Sequence, residues 1–181
     1  KTVNGNAYGN NVREGWKKTR HLLEYCHQLN PSTQFEIGTE QAIFRYEAGE
    51  LDGMVEYLKR WSPAAFAQVR YLVIQSGTSI AGNENIGTHD PKRLEDMVAV
   101  CRKHGLLAKV HNGDYLSQEL IDAHFDYGVS AINIAPEFGQ IETKVYSAAM
   151  TNSQLQRFYE ICRDSGKWKK WLMGVKSPLP H

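Results

Sequence analysis

The sequence predicts an α/β fold made of parallel strand–helix units, equivalent to about half of a TIM (β/α)8 barrel. Four short apolar segments are predicted strands: Gln34–Ile37, Val69–Gln75, Leu106–Val110 and Val129–Ile134. A helical pattern follows each strand, and such alternation is typical of parallel α/β architecture. The strands are apolar on both faces, as expected where helices cover a sheet. An open four-stranded sheet is the alternative, but it would leave two long apolar edges exposed.

The central unit runs from Leu106 to Glu137 and reads as strand, loop, helix and strand. Ser117 is placed to cap the helix, and Gly128 is placed to end it. The predicted apolar face of that helix consists of Leu120, Ile121, His124 and Phe125. Two buried strands joined by a helix form a right-handed unit with parallel strands. Ligands bind at the carboxyl ends of the strands in folds of this kind, and polar residues cluster there in this sequence.

The remaining helices are predicted from apolar residues that recur at three- and four-residue steps. They cover Glu14–Leu29, Leu51–Trp61, the segment from Asp90-Pro91 to His104-Gly105, Ile141–Met150 and Gln154–Cys162. Residues 1–12 are predicted to form a loop, and the tail after Lys167 is predicted to fray. We expect residues 1–181 to form a single α/β domain.

Composition excludes several classes of protein. The 181 residues carry a formal net charge of +1, which offers no field for nucleic acid or an anionic membrane. No apolar run approaches the roughly 20 residues of a membrane span. Cys26, Cys101 and Cys162 lie on the apolar sides of predicted helices, so we expect buried free thiols in a reducing compartment, with the cytoplasm as the default location.

Polar residues follow all four predicted strands, and a barrel would gather them around one mouth. The clusters are Glu36 with Thr39-Glu40, Gln75-Ser76-Gly77-Thr78, His111-Asn112-Gly113-Asp114, and Asn133 with Pro136-Glu137. Loops also need Gly, Asn and Asp for turns, so any one cluster has an ordinary explanation. Repetition at every strand end favours a shared site.

His111 differs from the other six histidines because it lies at a strand end beside small and polar residues. It is a candidate metal ligand or proton-transfer group, and the alternative is a hydrogen-bonded structural histidine. Asn112-Gly113 could present backbone N–H groups to a phosphate. Asn133 faces the mouth if Ile132 and Ile134 face the helices. The run Lys167–Trp171 fits a solvated helix end better than a nucleic-acid site, given the neutral charge.

These motifs resemble the class II ketose-bisphosphate aldolase superfamily. The resemblance rests on His111-Asn112-Gly113-Asp114, Asp126-Tyr127-Gly128-Val129 and the segment Ala131–Glu137, and it covers the chain from about Gln34 onward. It places the chain at strands five to eight, the C-terminal half of the barrel. The closer likeness is to the tagatose-bisphosphate aldolase non-catalytic subunit family, because of the Ile-Gly-Thr-Glu run, the strand before Gly77 and the His111-x-x-Asp114-Tyr115 loop.

The resemblance implies a phosphorylated ketose as ligand, in aldol cleavage or condensation. His111 would be a metal ligand for a divalent ion such as zinc, and His111 and Glu36 would be the nearest catalytic candidates. The substrate and its phosphate would be held by residues at three strand ends. They are Asn112, Gly113, Asp114, Gln75, Ser76, Gly77, Asn133 and Glu137.

The sequence departs from that superfamily at two metal-binding positions, and these departures leave two hypotheses about function. Ser79-Ile80 stands where catalytic members carry a His, and no His-x-Asp-His element is present. A catalytic zinc ion needs about three protein ligands, and one His is too few. The chain is therefore either part of a sugar-phosphate enzyme or a non-catalytic subunit that stabilises a catalytic aldolase. Four units also lack the neighbours of a closed barrel, so we expect an upstream half of the same protein, or a second copy in a homo-oligomer, to supply them.

Overall fold

The computed structural model describes residues 12–38 and 46–171. Residues 1–11 of the predicted N-terminal loop, Thr39, Glu40 and the tail after Trp171 lie outside these residues, and Val12, the last residue of that loop prediction, is helical. Chain contacts divide the protein into two units, residues 1–137 and 138–181, which are described separately. None of the described helices is long and apolar enough to cross a bilayer.

The first unit alternates helices and strands. Its helices are α1 (Val12–Leu29), α2 (Ala48–Trp61), α3 (Pro63–Phe66), α4 (Pro91–His104) and α5 (Gln118–Tyr127). Its strands are β1 (Phe35–Gly38), β2 (Val69–Ile74), β3 (Ile80–Ala81), β4 (Glu84–Asn85), β5 (Leu107–Val110) and β6 (Val129–Ile132). Helix α6 (Pro136–Ala149) begins at the end of this unit, and α7 (Asn152–Asp164) and a 3-10 helix (Lys167–Trp171) follow in the second.

The four main strands form one sheet in the order β1-β2-β5-β6, and every neighbouring pair is parallel. This confirms the predicted strands, their chain order and the α/β fold class of parallel strand–helix units found in TIM barrels. A two-residue antiparallel hairpin, β3–β4, lies in the loop after β2. The sequence pattern did not predict that hairpin or the short helix α3, because neither contains enough residues to show a period.

The core lies between the sheet and helices α2 and α4. The helices contribute Leu51, Met54, Val55, Leu58, Leu94, Met97, Val98 and Cys101, and the strands contribute Ile37, Leu72, Ile74, Ala108, Val110 and Val129. Burying each large aliphatic side chain stabilises the fold by about 1.5 to 3 kcal/mol relative to exposing it. This packing fixes one face of every strand and leaves the other face, with Glu36 and Lys109, away from the core.

The helix caps follow the sequence. Asp90 Oδ1 accepts the N–H of Arg93 at 3.0 Å, and Gly105 ends α4 with a φ of 70°. Ser117 Oγ accepts the N–H of Leu120 at 3.4 Å, and Gly128 ends α5 with a φ of 103°. Glycine suits both ends because a left-handed backbone costs it little.

Three details of the sequence prediction were wrong. Cys26 and Cys162 are exposed, and only Cys101 is buried. Phe125 belongs to the predicted apolar face of α5 but is 47% exposed. Helix α6 begins at Pro136, not at Ile141, because proline fits the first turn of a helix and a buried carboxylate, described below, receives the N–H groups there.

Candidate functional site

A charged cluster lies on the sheet face that points away from the core. Side chains alternate between the two faces of a strand, so Glu36 and Lys109 lie opposite the core residues Ile37 and Ala108. Tyr71 of β2 pairs with Glu36 in the register and lies between β1 and β5. The parallel register therefore brings groups from three strands to one place.

Glu36 is the centre of this cluster. His111 Nε2 lies 2.9 Å from Glu36 Oε1, and the Lys109 ammonium forms an ion pair with Glu36 Oε2. Lys109 Nζ is also 5.6 Å from the centre of the Tyr71 ring, within range of a cation–π contact. The structure thus joins the two predicted catalytic candidates, Glu36 and His111, in one hydrogen bond.

The environment keeps Glu36 ionised. Partial burial by itself raises the pKa of Glu36, but hydrogen bonds from Lys109 and His111, with their charges, lower that pKa below its ordinary value of 4.5. An ionised carboxylate only accepts hydrogen bonds, so His111 Nε2 carries a proton and donates it. The other ring nitrogen, Nδ1, is then the atom through which His111 can take or return a proton.

Lys109 was not among the residues singled out in the sequence. Its side chain is 17% exposed, between Ala108 and Val110 of a strand that packs into the core. Lysine is seldom buried without a partner, so a lysine inside an apolar strand could have indicated that an acidic partner lies nearby. Its partner, Glu36, is distant in sequence, and only the sheet order brings the two together.

The loop after β5 is tied to the loop after β2. Thr78 Oγ1 donates to the His111 carbonyl at 2.8 Å, and Asn85 Nδ2 lies 2.9 Å from the carbonyls of Asn112 and Asp114. Asn112 has a φ of 59°, in the left-handed region that asparagine tolerates. These bonds fix the backbone that carries His111.

Asp114 organises the connection from β6 to α6. Its buried carboxylate Oδ1 accepts the N–H of Ala135 at 2.9 Å and that of Glu137 at 2.8 Å. Glu137 Oε2 in turn accepts the N–H of Tyr115 at 2.8 Å. In this geometry both carboxylates position the loops, and their predicted contact with a substrate stays a prediction.

Gly113 is required by close packing. A Cβ atom there would lie 2.1 Å from Ile132 Cγ2, and the Gly113 N–H donates to the Asn133 carbonyl at 2.9 Å. This use of the N–H differs from the predicted presentation to a phosphate. Asn133 is exposed beyond the end of β6, while Ile132 packs against the core. The predicted orientation of Asn133 towards the mouth requires Ile132 to pack in this way.

Gln75 and Ser76 are buried beneath the loop after β2. Gln75 Oε1 accepts the N–H of Tyr46 at 2.9 Å and lies 3.1 Å from Arg93 Nη2. Arg93, which the sequence did not indicate, also binds the Glu47 carboxylate at 3.0 Å. Gly77 has a φ of 96°, which glycine adopts without strain. These contacts give Gln75 a structural role and leave its predicted ligand contact a prediction.

The described residues around His111 do not complete a zinc site. One group of three potential ligands, Asp52, Glu56 and His104, is found in the described part of the chain, with ligand atoms within 4.8 Å of one another. It lies before β5 begins, at the opposite end of the strand from His111. Lys103 Nζ also lies 2.8 Å from both Asp52 oxygens and would have to be displaced. Three zinc ligands at His111 would therefore need groups beyond those described.

Comparison with known proteins places the fold. No family model matches the sequence, and no curated protein matches it. The structure is similar to that of the YdjI aldolase from Escherichia coli K12, with a TM-score of 0.57 and 14% identity over 83% of this chain and 52% of that one. It is also similar to a probable tagatose 6 phosphate kinase from Sinorhizobium meliloti 1021, with a TM-score of 0.63 and 18% identity over 85% of this chain and 43% of that one.

A third similar structure is a putative fructose-1,6-biphosphate aldolase from Coccidioides immitis. The TM-score is 0.56 and the identity 17%, over 81% of this chain and 53% of that one. The chain thus spans about half the length of these proteins or less. At this level of identity the likeness shows an aldolase-like fold of strand–helix units, as the sequence predicted.

Proposed function

We propose that this chain binds a phosphorylated ketose at the carboxyl ends of its strands and takes part in aldol cleavage or condensation. The observation that carries the proposal is the cluster in which Glu36 binds both Lys109 and His111. Sites of parallel α/β folds lie at this end of the strands. The names of the similar structures, two aldolases and a tagatose 6 phosphate kinase, support the same class of ligand.

The cluster has the groups that a reversible aldol reaction needs. In the cleavage direction a base removes the C4 hydroxyl proton, the C3–C4 bond breaks, and its electron pair forms an enolate with the C2 carbonyl oxygen. A proton then returns to C3. His111, held at Nε2 by Glu36, is the proton-transfer group, and the Lys109 ammonium is a cation that stabilises the enolate oxygen.

A zinc ion would polarise the C2 carbonyl if one were bound. His111 Nδ1 is the one ligand that we propose for a catalytic ion at the strand ends, and its other ligands would come from residues outside those described. An ion on His111 Nδ1 would occupy the nitrogen that transfers the proton, so the steps derived above are those of the chain without bound zinc.

The second candidate function is a non-catalytic subunit of a tagatose-bisphosphate aldolase, acting as a stabilising partner. The specific observation in its favour is the hairpin loop after β2, where Ser79-Ile80 offers no metal ligand. Retention of the Glu36–His111 pair is explained here by ligand binding without turnover. Both candidates place a phosphorylated ketose at the same site.

Binding and turnover experiments separate these possibilities. Calorimetry with fructose 1,6-bisphosphate and tagatose 1,6-bisphosphate should show binding that the unphosphorylated sugars lack. Glu36→Gln and His111→Gln should weaken it, whereas the exposed controls Glu142→Gln and His21→Gln should not. Failure of the unmodified protein to bind either bisphosphate, or unchanged binding in both cluster variants, would overturn the proposed site.

Turnover then decides between enzyme and subunit. An aldol cleavage assay of the unmodified protein should release dihydroxyacetone phosphate if the chain is catalytic. If it binds but does not cleave, co-expression with a catalytic tagatose-bisphosphate aldolase should raise the thermal stability or the activity of that enzyme. The subunit hypothesis fails if the aldolase is unaffected.

A further inference from the structure

A small cavity behind the loops after β2 and β5 is lined by side chains that the proposed function does not use. Its volume is about 70 Å3, and the residues that matter here are Ser76, His89, Tyr115 and His124. None of them belongs to the cluster of Glu36, Lys109 and His111. The cavity lies inside the first unit.

Each of these four side chains carries an unpaired polar atom. Ser76 Oγ, His89 Nδ1, Tyr115 Oη and His124 Nε2 are buried and have no hydrogen-bond partner among the described residues. Ser76 and His124 are each only 1% exposed. Leaving a buried polar atom unpaired costs about 1 to 3 kcal/mol, so four in one cavity indicate an occupant that pairs with them.

The hydrogen bonds of His124 determine what that occupant must be. His124 Nδ1 lies 2.6 Å from the Leu120 carbonyl, which only accepts, so Nδ1 carries the proton. Nε2 has no hydrogen-bond partner among the described residues and is the ring nitrogen left to bind a ligand. Metal-binding histidines are oriented in this way by a carbonyl on the other ring nitrogen.

His89 supplies a second nitrogen at a suitable separation. The rings of His89 and His124 have their centres 5.4 Å apart, with 50° between their planes. Two imidazoles on one tetrahedral zinc ion, at about 2.1 Å for each Zn–N bond, have ring centres roughly 5 to 6 Å apart. The observed spacing agrees with two ligands of one ion.

The surrounding charges favour a cation over an anion. Two carboxylates lie near Tyr115, because Asp114 precedes it in the chain and Glu137 Oε2 accepts its backbone N–H at 2.8 Å. Their negative field favours a positive charge beside Tyr115.

We propose that His124 Nε2 and His89 Nδ1 bind a first-row transition-metal ion such as Zn2+ in this cavity. The hydroxyl oxygens of Ser76 and Tyr115 complete the coordination, directly or through metal-bound water. Because the ion joins α5 to the loop between β4 and α4, it stabilises the backbone that carries His111.

Zinc binding to the chelator-treated full chain tests the site. We expect calorimetry to show Zn2+ binding to the unmodified protein. The affinity should fall in His89→Gln and in His124→Gln by at least roughly 10- to 100-fold, which is the loss caused by removing an outer-shell partner of a metal ligand. The exposed control His21→Gln and the variant Asp52→Asn should retain the affinity. Binding lost in Asp52→Asn and kept in both cavity variants would place the ion at the other group and overturn the proposal.

Two further measurements keep the test valid if His124→Gln does not fold. In the unmodified protein, Zn2+ should raise the unfolding temperature, and the His89→Gln variant should lose that shift while still melting cooperatively. Histidine-selective NMR of the unmodified protein should show Zn2+ moving the resonances of the His89 and His124 rings, with His21 unchanged. Unmoved His89 and His124 resonances, or a zinc-soaked crystal with only water in the cavity, would also overturn the site.

Discussion

The carboxylate of Glu36 on β1 lies 2.9 Å from Nε2 of His111, which directly follows β5. Since β2 separates these two strands in the sheet, the contact spans a whole strand. In the register Glu36 is level with Tyr71 and Leu107, so the contact requires long side chains that reach along the sheet to a residue four positions beyond Leu107. The Glu36–His111 pair is therefore a product of strand register, and changes to the register should disrupt it.

Lys109→Met should raise the pKa of Glu36. The substitution removes a hydrogen bond and a positive charge that lower this pKa, and it leaves burial, which raises it. Carboxyl NMR titration of Glu36 measures the shift, and Lys92→Met, at an exposed ion pair, is the control. An unchanged Glu36 pKa would show that the Lys109 contact is absent in solution.

The Glu36–Lys109 ion pair should make the free energy of unfolding depend on pH in the acid range. The pKa of Glu36 is lower in the folded protein than the ordinary 4.5, so its stabilising effect is complete above that pH. It is lost as pH falls through the lower, folded value. Urea unfolding between pH 7 and pH 3 should therefore show a smaller loss of stability in Lys109→Met than in the unmodified protein.

Asp114→Ala should destabilise the first unit by about 2 to 4 kcal/mol, because it leaves two N–H groups without their charged acceptor. Chemical denaturation measures the change. Asp122→Ala is a matched control, since Asp122 is exposed and, within residues 12–38 and 46–171, forms a hydrogen bond only with Gln118. Equal stability of the two variants would contradict the positioning role of Asp114.

Gly113→Ala should cost about 1 to 3 kcal/mol, because the added Cβ would meet Ile132 Cγ2 at 2.1 Å. Larger residues at this position should be worse, so ligand binding by such variants must be read together with their stability. Gly49→Ala is the control, because nothing lies within 4 Å of a Cβ there. A thermal melt of each variant gives the comparison.

The three thiols should differ in reactivity. Burial raises the pKa of Cys101 to about 12, whereas Cys26 and Cys162 are exposed. Ellman's reagent at neutral pH should therefore modify Cys26 and Cys162 quickly, and Cys101 only after unfolding. The Cys101→Ala variant identifies the slow thiol. Rapid modification of all three in the folded protein would contradict the burial of Cys101.

The isolated chain should associate. Within the described residues the outer strands β1 and β6 each have one hydrogen-bonded neighbour, and α6 exposes Phe138, Ile141 and Val145. Unpaired strand edges and apolar helix faces promote pairing with another chain. Light scattering should give a mass above 20.6 kDa. A monodisperse monomer with a cooperative melt would show that four units suffice.

The sequence by itself determined the strand–helix alternation and the ends of α4 and α5. Those features depend on local chemistry: apolar β-branched runs, the caps Asp90 and Ser117, and the glycines that follow each helix. It also indicated His111 and Glu36, because polar residues after a strand are visible without a partner.

Only the tertiary structure decided how those residues are used. Lys109 joined the cluster because the sheet places it two residues beyond Leu107, which is level with Glu36 across β2, and sequence spacing carries no information about that placement. Asp114 accepts a backbone N–H from Ala135, and Gly113 packs against Ile132. Both partners come later in the chain, so the two roles depend on how the chain folds back. In the sequence His124 is one of several histidines on helices, with no sign of a special role. Only the packing of α5 brings its ring beside that of His89, which lies in a distant loop. Long-range contacts of this kind are fixed by the packing of the whole sheet, and no local pattern records them.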